Sequence, residues 1–441
     1  MKKIKYSILS LVLALSLLLC SCQNISIKGN ETLIMPPVLF EGQDEIIKAL
    51  YSSVGSNIVL EYPKKGENRS AFLLCDVDGD KENEVVSFYR PVGEDIKQDV
   101  IHINVLKNTD EGWSSLCDII GEAAAIDSVS VGNFSGRKEI IIGWELMRDR
   151  EKTLVCYSLF GKTLVRDYTA TYVEFSVADF WAENEGDEII TANISQTTEN
   201  LTRPTQHARL ICVKDKAFSV VSTTPLDIRV TGYKGCSAGK YNENSVALFL
   251  DGLISAATVN TQILTVNKNG QLKNPLLIGD KTDESNVHKA TMLTQDIDGD
   301  GILEVPHQEA VTGYEDVPES EKLYKTVWKS LSNGKLVKSK VMYISSLGIR
   351  ITIPSRMDGN VTIKSVSAQN ELKFYEFEGD LTQSTKELFS IRISEKEQYT
   401  PQAGYDILKS TDYTVVTVYI ADGENELCPT WETLYNIIEI V

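Results

Sequence analysis

The 441-residue chain is short of positive charge: 44 lysines and arginines stand against 62 aspartates and glutamates, for a formal net charge of −18. A field of that sign repels phosphate backbones and excludes a nucleic-acid-binding role. Histidine is scarce as well. His102, His207, His288 and His307 are scattered without HExxH or any paired spacing, and no Gly/Lys loop suited to phosphate is present. Cys75, Cys117, Cys156, Cys212, Cys236 and Cys428 never fall at CxxC spacing, which argues against zinc and dithiol redox chemistry. Most sit in strand-like apolar runs and are expected to be buried free thiols, although one disulfide is compatible with an exported protein. After the first two dozen residues no second long apolar run occurs, and 42% of residues are hydrophobic. The body is therefore expected to be a soluble globular chain with a real core.

What the chain does have at its start is Met1, Lys2, Lys3, Ile4 and Lys5, followed by an apolar run from Ile8 to Leu19. This is the basic region and short hydrophobic region of an export signal, too short to span a bilayer comfortably. The run ends Leu19-Cys20-Ser21-Cys22, a box that resembles the bacterial lipoprotein signal. The resemblance implies that residues 1–21 are a signal peptide and that Cys22 carries the lipid. Cys20 is the poorer candidate because Leu19 stands where a small residue is expected. The body is then expected on the extracytoplasmic side of a bacterial cell membrane, held there by its lipid. Loss of Lys2, Lys3 and Lys5 would move its formal charge from −18 to −21.

Two acidic loops stand out: CDVDGDKENEVVSF from Cys75 to Phe88 and QDIDGDGILEVP from Gln295 to Pro306. They align with three degenerate relatives that also run from a turn-rich stretch into a strand-like one: Ser130 to Trp144, Ser176 to Ile194 and Cys236 to Gly252. The residues just before the strands are Glu84, Glu139, Glu188, Ser245 and Glu304, at steps of 55, 49, 57 and 59 residues. Short strands fill the intervals, and about four strands per repeat is the period of a propeller blade. The sequence thus predicts a mainly β fold: a β-propeller of five to seven blades over residues 70–346, followed by a small α+β C-terminal domain over 347–441. Residues 22–69 form an anchor segment and a lead-in helix with Ile46, Ile47, Leu50 and Val54 on one face. A terminal helix is expected from Pro429, with Trp431, Leu434, Tyr435 and Ile438 on one side.

Aspartates alternating around a glycine supply the hard oxygen ligands that calcium favours. In the first loop these are Asp76, Asp78 and Asp80, with the Glu82 carbonyl and Glu84; in the second they are Asp296, Asp298 and Asp300, with the Ile302 carbonyl and Glu304. An EF-hand also needs glutamate at position 12, where Ser87 and His307 stand, and needs a helix where these loops lead into strands. Dockerin repeats lie close together and lead into helices, so they fit no better. The pattern resembles the FG-GAP/VCBS repeat of integrin-α-like propellers, in which such a loop joins two strands of a blade and holds calcium. This resemblance implies the ligand sets just named. The chain departs from it at Lys81, which replaces glycine at position 6 and brings a cation beside the first site, and in ending both loops with glutamate.

The string Gly235-Cys236-Ser237-Ala238-Gly239 matches the GxSxG nucleophile elbow, which needs a strand before the serine and a helix after it. A strand follows instead, so these residues are expected to be a loop of the fourth blade and Ser237 is not expected to be catalytic. A binding module fits best, with an unidentified extracellular protein or carbohydrate as partner and the C-terminal domain as a second contact. The rival is an envelope or extracellular carbohydrate-active enzyme, marked by two carboxylates and stacking Trp or Tyr in the propeller channel.

Overall fold

The computed structural model describes residues 42–93, 100–146, 152–195, 205–421 and 425–441. The expected signal peptide and Cys22 lie outside them. The protein is mainly β, built from several antiparallel sheets, with two α-helices among the described residues. The first helix, α1 (Gln43–Val54), buries Ile46 and Leu50 against the first sheet.

That sheet holds β1 (Ile58–Leu60), β2 (Phe72–Cys75), β3 (Glu84–Pro91), β4 (His102–Thr109) and β5 (Gly112–Ile120). The second holds β6 (Ile126–Phe134), β7 (Arg137–Trp144), β8 (Lys152–Phe160) and β9 (Thr163–Tyr172). The third holds β10 (Glu174–Ala178), β11 (Glu188–Ser195), β12 (Thr205–Lys214) and β13 (Ala217–Pro225). The fourth holds β14 (Tyr233–Asn242), β15 (Ser245–Leu253), β16 (Thr258–Val266) and β17 (Leu272–Lys273). A ribbon of β18 (Leu277–Ile278) and β19 (Lys281–Thr282) follows, and β20 (Val287–Lys289) returns to pair with β16. The fifth sheet holds β21 (Val305–Ala310), β22 (Tyr324–Ser332), β23 (Lys335–Ser345) and β24 (Ile349–Thr352). The sixth holds β25 (Val361–Val366), β26 (Glu371–Glu376), β27 (Glu387–Glu395), β28 (Asp406–Ser410) and β29 (Thr414–Ile420). The chain closes with α2 (Trp431–Ile437) and β30 (Ile438–Ile440).

Consecutive sheets stack face to face. Phe88 and Val105 of the first share a core with Ile142 and Val155 of the second. Ile141 of the second meets Ile189 of the third, and Ile190 of the third meets Leu250 of the fourth. Phe249 of the fourth meets Val305 of the fifth, and Ile351 of the fifth meets Phe374 of the sixth. Being covered on both sides explains why β3, β7 and β15 read as continuous apolar runs, whereas the outer β5 and β9 are half exposed.

Four sheets carry the same irregularity at the same place. Val85 lies opposite Leu106, and the register of β4 on β5 slips between Val105 and Leu106. In the second sheet Ile140 faces Tyr157, and the slip falls between Cys156 and Tyr157. In the third Ile189 faces Ile211 with the slip at Leu210/Ile211, and in the fifth Val305 faces Lys329 with the slip at Trp328/Lys329. A bulge bends and twists a strand locally, so its recurrence in register makes these sheets copies of one unit. The residue preceding each landmark is Glu84, Glu139, Glu188 or Glu304, and all four are buried.

Three differences from the sequence reading have physical reasons. Leu347, the expected domain boundary, lies in the turn of the β23–β24 hairpin, and β30 adds to the other side of β24, so the end of the chain completes the fifth sheet. The terminal helix starts after Pro429 and not at it, because the Thr430 side chain caps it by accepting from the Thr433 N–H. Only Leu434 of that helix is buried, Trp431 and Tyr435 are exposed, and Ile438 packs as the first residue of β30.

Candidate functional site

The recurring glutamate ties its loop to the sheet. Glu84 Oε2 accepts the Val77 N–H at 3.0 Å, and Glu304 Oε2 accepts the Ile297 N–H at 3.1 Å. Glu188 Oε2 accepts from the Phe180 and Trp181 N–H groups, while Asn184 donates to its other oxygen. The second sheet has a tight turn where this loop would be. Glu139 there meets Arg137 at 2.6 Å without an aligned hydrogen bond, and burial pushes its carboxyl up to about 8.

The two acidic loops share one backbone scaffold. Asp76 accepts from the Gly79 and Lys81 N–H groups, and Asp296 accepts from those of Gly299 and Gly301. The Glu82 N–H donates to Asp80 and the Ile302 N–H to Asp300. Position 6 takes a left-handed conformation in both, with φ 75° at Lys81 and 85° at Gly301, which suits glycine and strains lysine.

Their cations differ. The lysine that enters the first loop is Lys107 of β4, not the expected Lys81, which is exposed. Lys107 Nζ donates to Asp78 Oδ2, lies 2.6 Å from Asp80 Oδ2 and is 3.1 Å from Glu84 Oε1. Its hydrogen bonds to Asp78 and Asp80 hold the ammonium well above the ordinary lysine range. In the second loop Asp296, Asp298 and Asp300 each place an oxygen within 4.8 Å of the others. Among the described residues no lysine or arginine pairs with them. Burial pushes Glu304 up to about 7 against the pull of the Ile297 N–H, and the surrounding Asp298, Asp300 and Asp296 add to the rise. A hard oxygen set without a counter-charge suits a hard cation; in the first loop, oxygens of Asp76, Asp78 and Glu84 also cluster, but an ammonium sits among the carboxylates and the fit is poor.

Ser237 lies within strand β14, opposite Phe249, and not in a loop. The strand was missed because Gly, Ser and Ala have little strand propensity. Its neighbour Cys236 donates to the Phe175 carbonyl, and burial pushes its thiol up, which makes it a poor nucleophile. The other five described cysteines are free as well.

These residues border a polar cleft of about 690 Å³ between β6, β10, β14 and the segment 65–69. The three strands each end their sheet's order and border this space; β6 is partly covered by the Lys64 and Lys65 N–H groups, which donate to the Ile126 and Asp127 carbonyls, and by Asn68, which donates to the Val129 carbonyl. Lys65 spans Glu174 and Asp127, and Asp127 also takes hydrogen bonds from Lys152 Nζ and from Tyr172 Oη at 2.8 Å. Among the described residues Arg69 and Lys234 line the cleft without a carboxylate partner, Arg69 donating to the Gly66 carbonyl, and the Tyr233 hydroxyl is buried without a hydrogen-bond partner. One further polar group was not legible in sequence: Thr261 Oγ1 donates to Asp251 at 2.6 Å and meets His288 Nε2 at 2.7 Å. All three are buried from solvent, so the group fastens β15, β16 and β20 together and meets no substrate. His307, close to the second acidic loop in sequence, contacts the Val287 carbonyl.

No protein-family model matches the chain, and no curated protein matches it. Among solved structures it is similar to the exotype rhamnogalacturonan lyase YesX, at 12% identity and a TM-score of 0.30 over 72% of this chain. The chain spans 61% of the length of that lyase. A putative 6-phosphogluconolactonase from Bacteroides uniformis is similar at 10% identity and TM-score 0.31, over 73% of this chain and 92% of its own. Sqt1 from Chaetomium thermophilum is similar at 10% identity and TM-score 0.31, over 77% and 92%. Likenesses at this level carry no argument about activity.

Proposed function

We propose that the protein is a lipid-anchored, extracytoplasmic bacterial lipoprotein whose sheets are blades of an FG-GAP-like β-propeller, and that it works as a binding module. The repeated bulge and the glutamate-tied loops support the blade assignment. The cleft supports binding: three sheet-terminal strands converge on one polar space of about 690 Å³, and the exposed cations Arg69 and Lys234 beside it suit polar ligands. Calcium is the cation of the second loop, held by Asp296, Asp298, Asp300 and Glu304, with the Ile302 carbonyl completing the set. It stiffens the blade and takes no part in chemistry. The C-terminal sheet offers a second contact surface.

The alternative, a carbohydrate-active enzyme, needs two free carboxylates and a stacking ring. Among the described residues the carboxylates lining the cleft are Glu67 and Glu174, of which Glu174 is tied to Lys65, and no tryptophan lines it; Tyr233 does, with its hydroxyl buried. The test is retention of cell-envelope components by the wild type and by an Arg69→Glu, Lys234→Glu double variant of the same melting temperature. Both cations are exposed, so folding should survive. Loss of a retained component in the variant is expected. Equal retention would remove the cleft from the account, and release of shortened glycans would favour the enzyme.

A further inference from the structure

We infer that the ammonium of Lys107 takes the place of the metal ion in the first acidic loop, so that this loop closes on a tethered cation and only the second responds to a divalent ion. The part about the second loop rests on the calcium assignment proposed above; the part about Lys107 rests on the first loop alone.

A lysine ammonium has three N–H donors and no acceptor. Lys107 Nζ faces three carboxylates, those of Asp78, Asp80 and Glu84, one for each donor. Glu84 Oε1 is buried and has no other partner among the described residues. Without the ammonium this oxygen would be a charged atom stranded in the sheet, which is costly. The fourth acid, Asp76, spends both oxygens on the Gly79 and Lys81 N–H groups and shapes the loop.

Strand register accounts for the presence of a lysine here alone. Val85 faces Leu106, so Glu84 faces Lys107 one step further along. The same step from Ile140–Tyr157, Ile189–Ile211 and Val305–Lys329 brings Ser158, Cys212 and Ser330 opposite Glu139, Glu188 and Glu304. None of these reaches its loop with a charge. The second loop therefore keeps the carboxylate scaffold without an internal cation, whereas an ion entering the first loop has to displace an ammonium that the strand delivers at high effective concentration.

The test is calorimetric titration of the whole protein with calcium, comparing wild type and Lys107→Met. Methionine keeps most of the unbranched stem and removes the ammonium. The variant should bind one calcium more per chain than the wild type, whatever number the wild type binds. Equal stoichiometry in two folded proteins overturns the inference. As a second measurement that does not depend on that variant folding, Asp76→Asn in the otherwise native chain should leave the calcium count unchanged. A count that falls by one also overturns it.

Discussion

Lys107 stands across the strand pair from Glu84, with its ammonium 3.1 Å from the buried carboxylate oxygen. This lysine, which also meets Asp78 and Asp80, separates two loops shaped alike by Asp76 and Asp296, and makes them unequal in their need for metal.

Removal of metal should act through the second loop. One site at tenfold above its dissociation constant adds about 1.4 kcal/mol, so a chelator should lower the melting temperature by a few degrees. Asp298→Ala should abolish that difference. Asp78→Ala should destabilise the protein by removing a Lys107 partner yet leave the chelator response intact. Scanning calorimetry of the three proteins decides the matter, and a chelator response lost in Asp78→Ala would count against it.

Lys81 occupies a left-handed position that Gly301 fills in the sister loop. Lys81→Gly should stabilise the protein by about 1 kcal/mol by relieving that strain. The N–H to Asp76 is kept. A melting temperature that falls would show that Lys81 contributes more as a cation than it costs in backbone strain.

Glu139 gives a pH dependence. Its carboxyl is raised from 4.5 to about 8, chiefly by burial and by Asp167, against the pull of Arg137. A carboxyl that holds its proton more tightly in the folded state stabilises that state fully below the unfolded pKa, and the stability is lost as pH rises through about 8. Glu139→Gln cannot ionise. It should match the wild type near pH 5 and be the more stable at pH 9 by at least about 1 kcal/mol. Parallel stability–pH curves would sink this account of the second sheet.

The network behind Lys65 of the cleft leaves no room at Gly143. A Cβ there would lie 2.0 Å from the Tyr172 hydroxyl, which donates to Asp127, the carboxylate between Lys65 and Lys152. Gly143→Ala should cost about 1–3 kcal/mol through overpacking, read as a lower denaturant midpoint at unchanged slope. An unchanged midpoint would mean that the tyrosine moves aside freely.

Local signals made much of this molecule legible. The spacing of Ile46 and Leu50 marks the buried face of α1. The aligned glutamates were readable because each stands at or near the start of a strand that follows a turn-rich stretch. What was hidden depends on partners distant in sequence. Nothing near Lys107 marks it as a loop cation; it becomes one through the pairing of β3 with β4. β14 reads as a loop because Gly235, Ser237 and Gly239 are poor strand formers, and pairing with β15 holds them extended. β24 looks like the start of a new domain until β30, at the far end of the chain, pairs with it.

Crystals grown in calcium and examined by diffraction test the central claim most directly. One ion is expected, bound by Asp296, Asp298, Asp300 and Glu304, with Lys107 still against Asp78, Asp80 and Glu84. An ion in the first loop with Lys107 turned out to solvent, or no ion in either loop, would contradict the account.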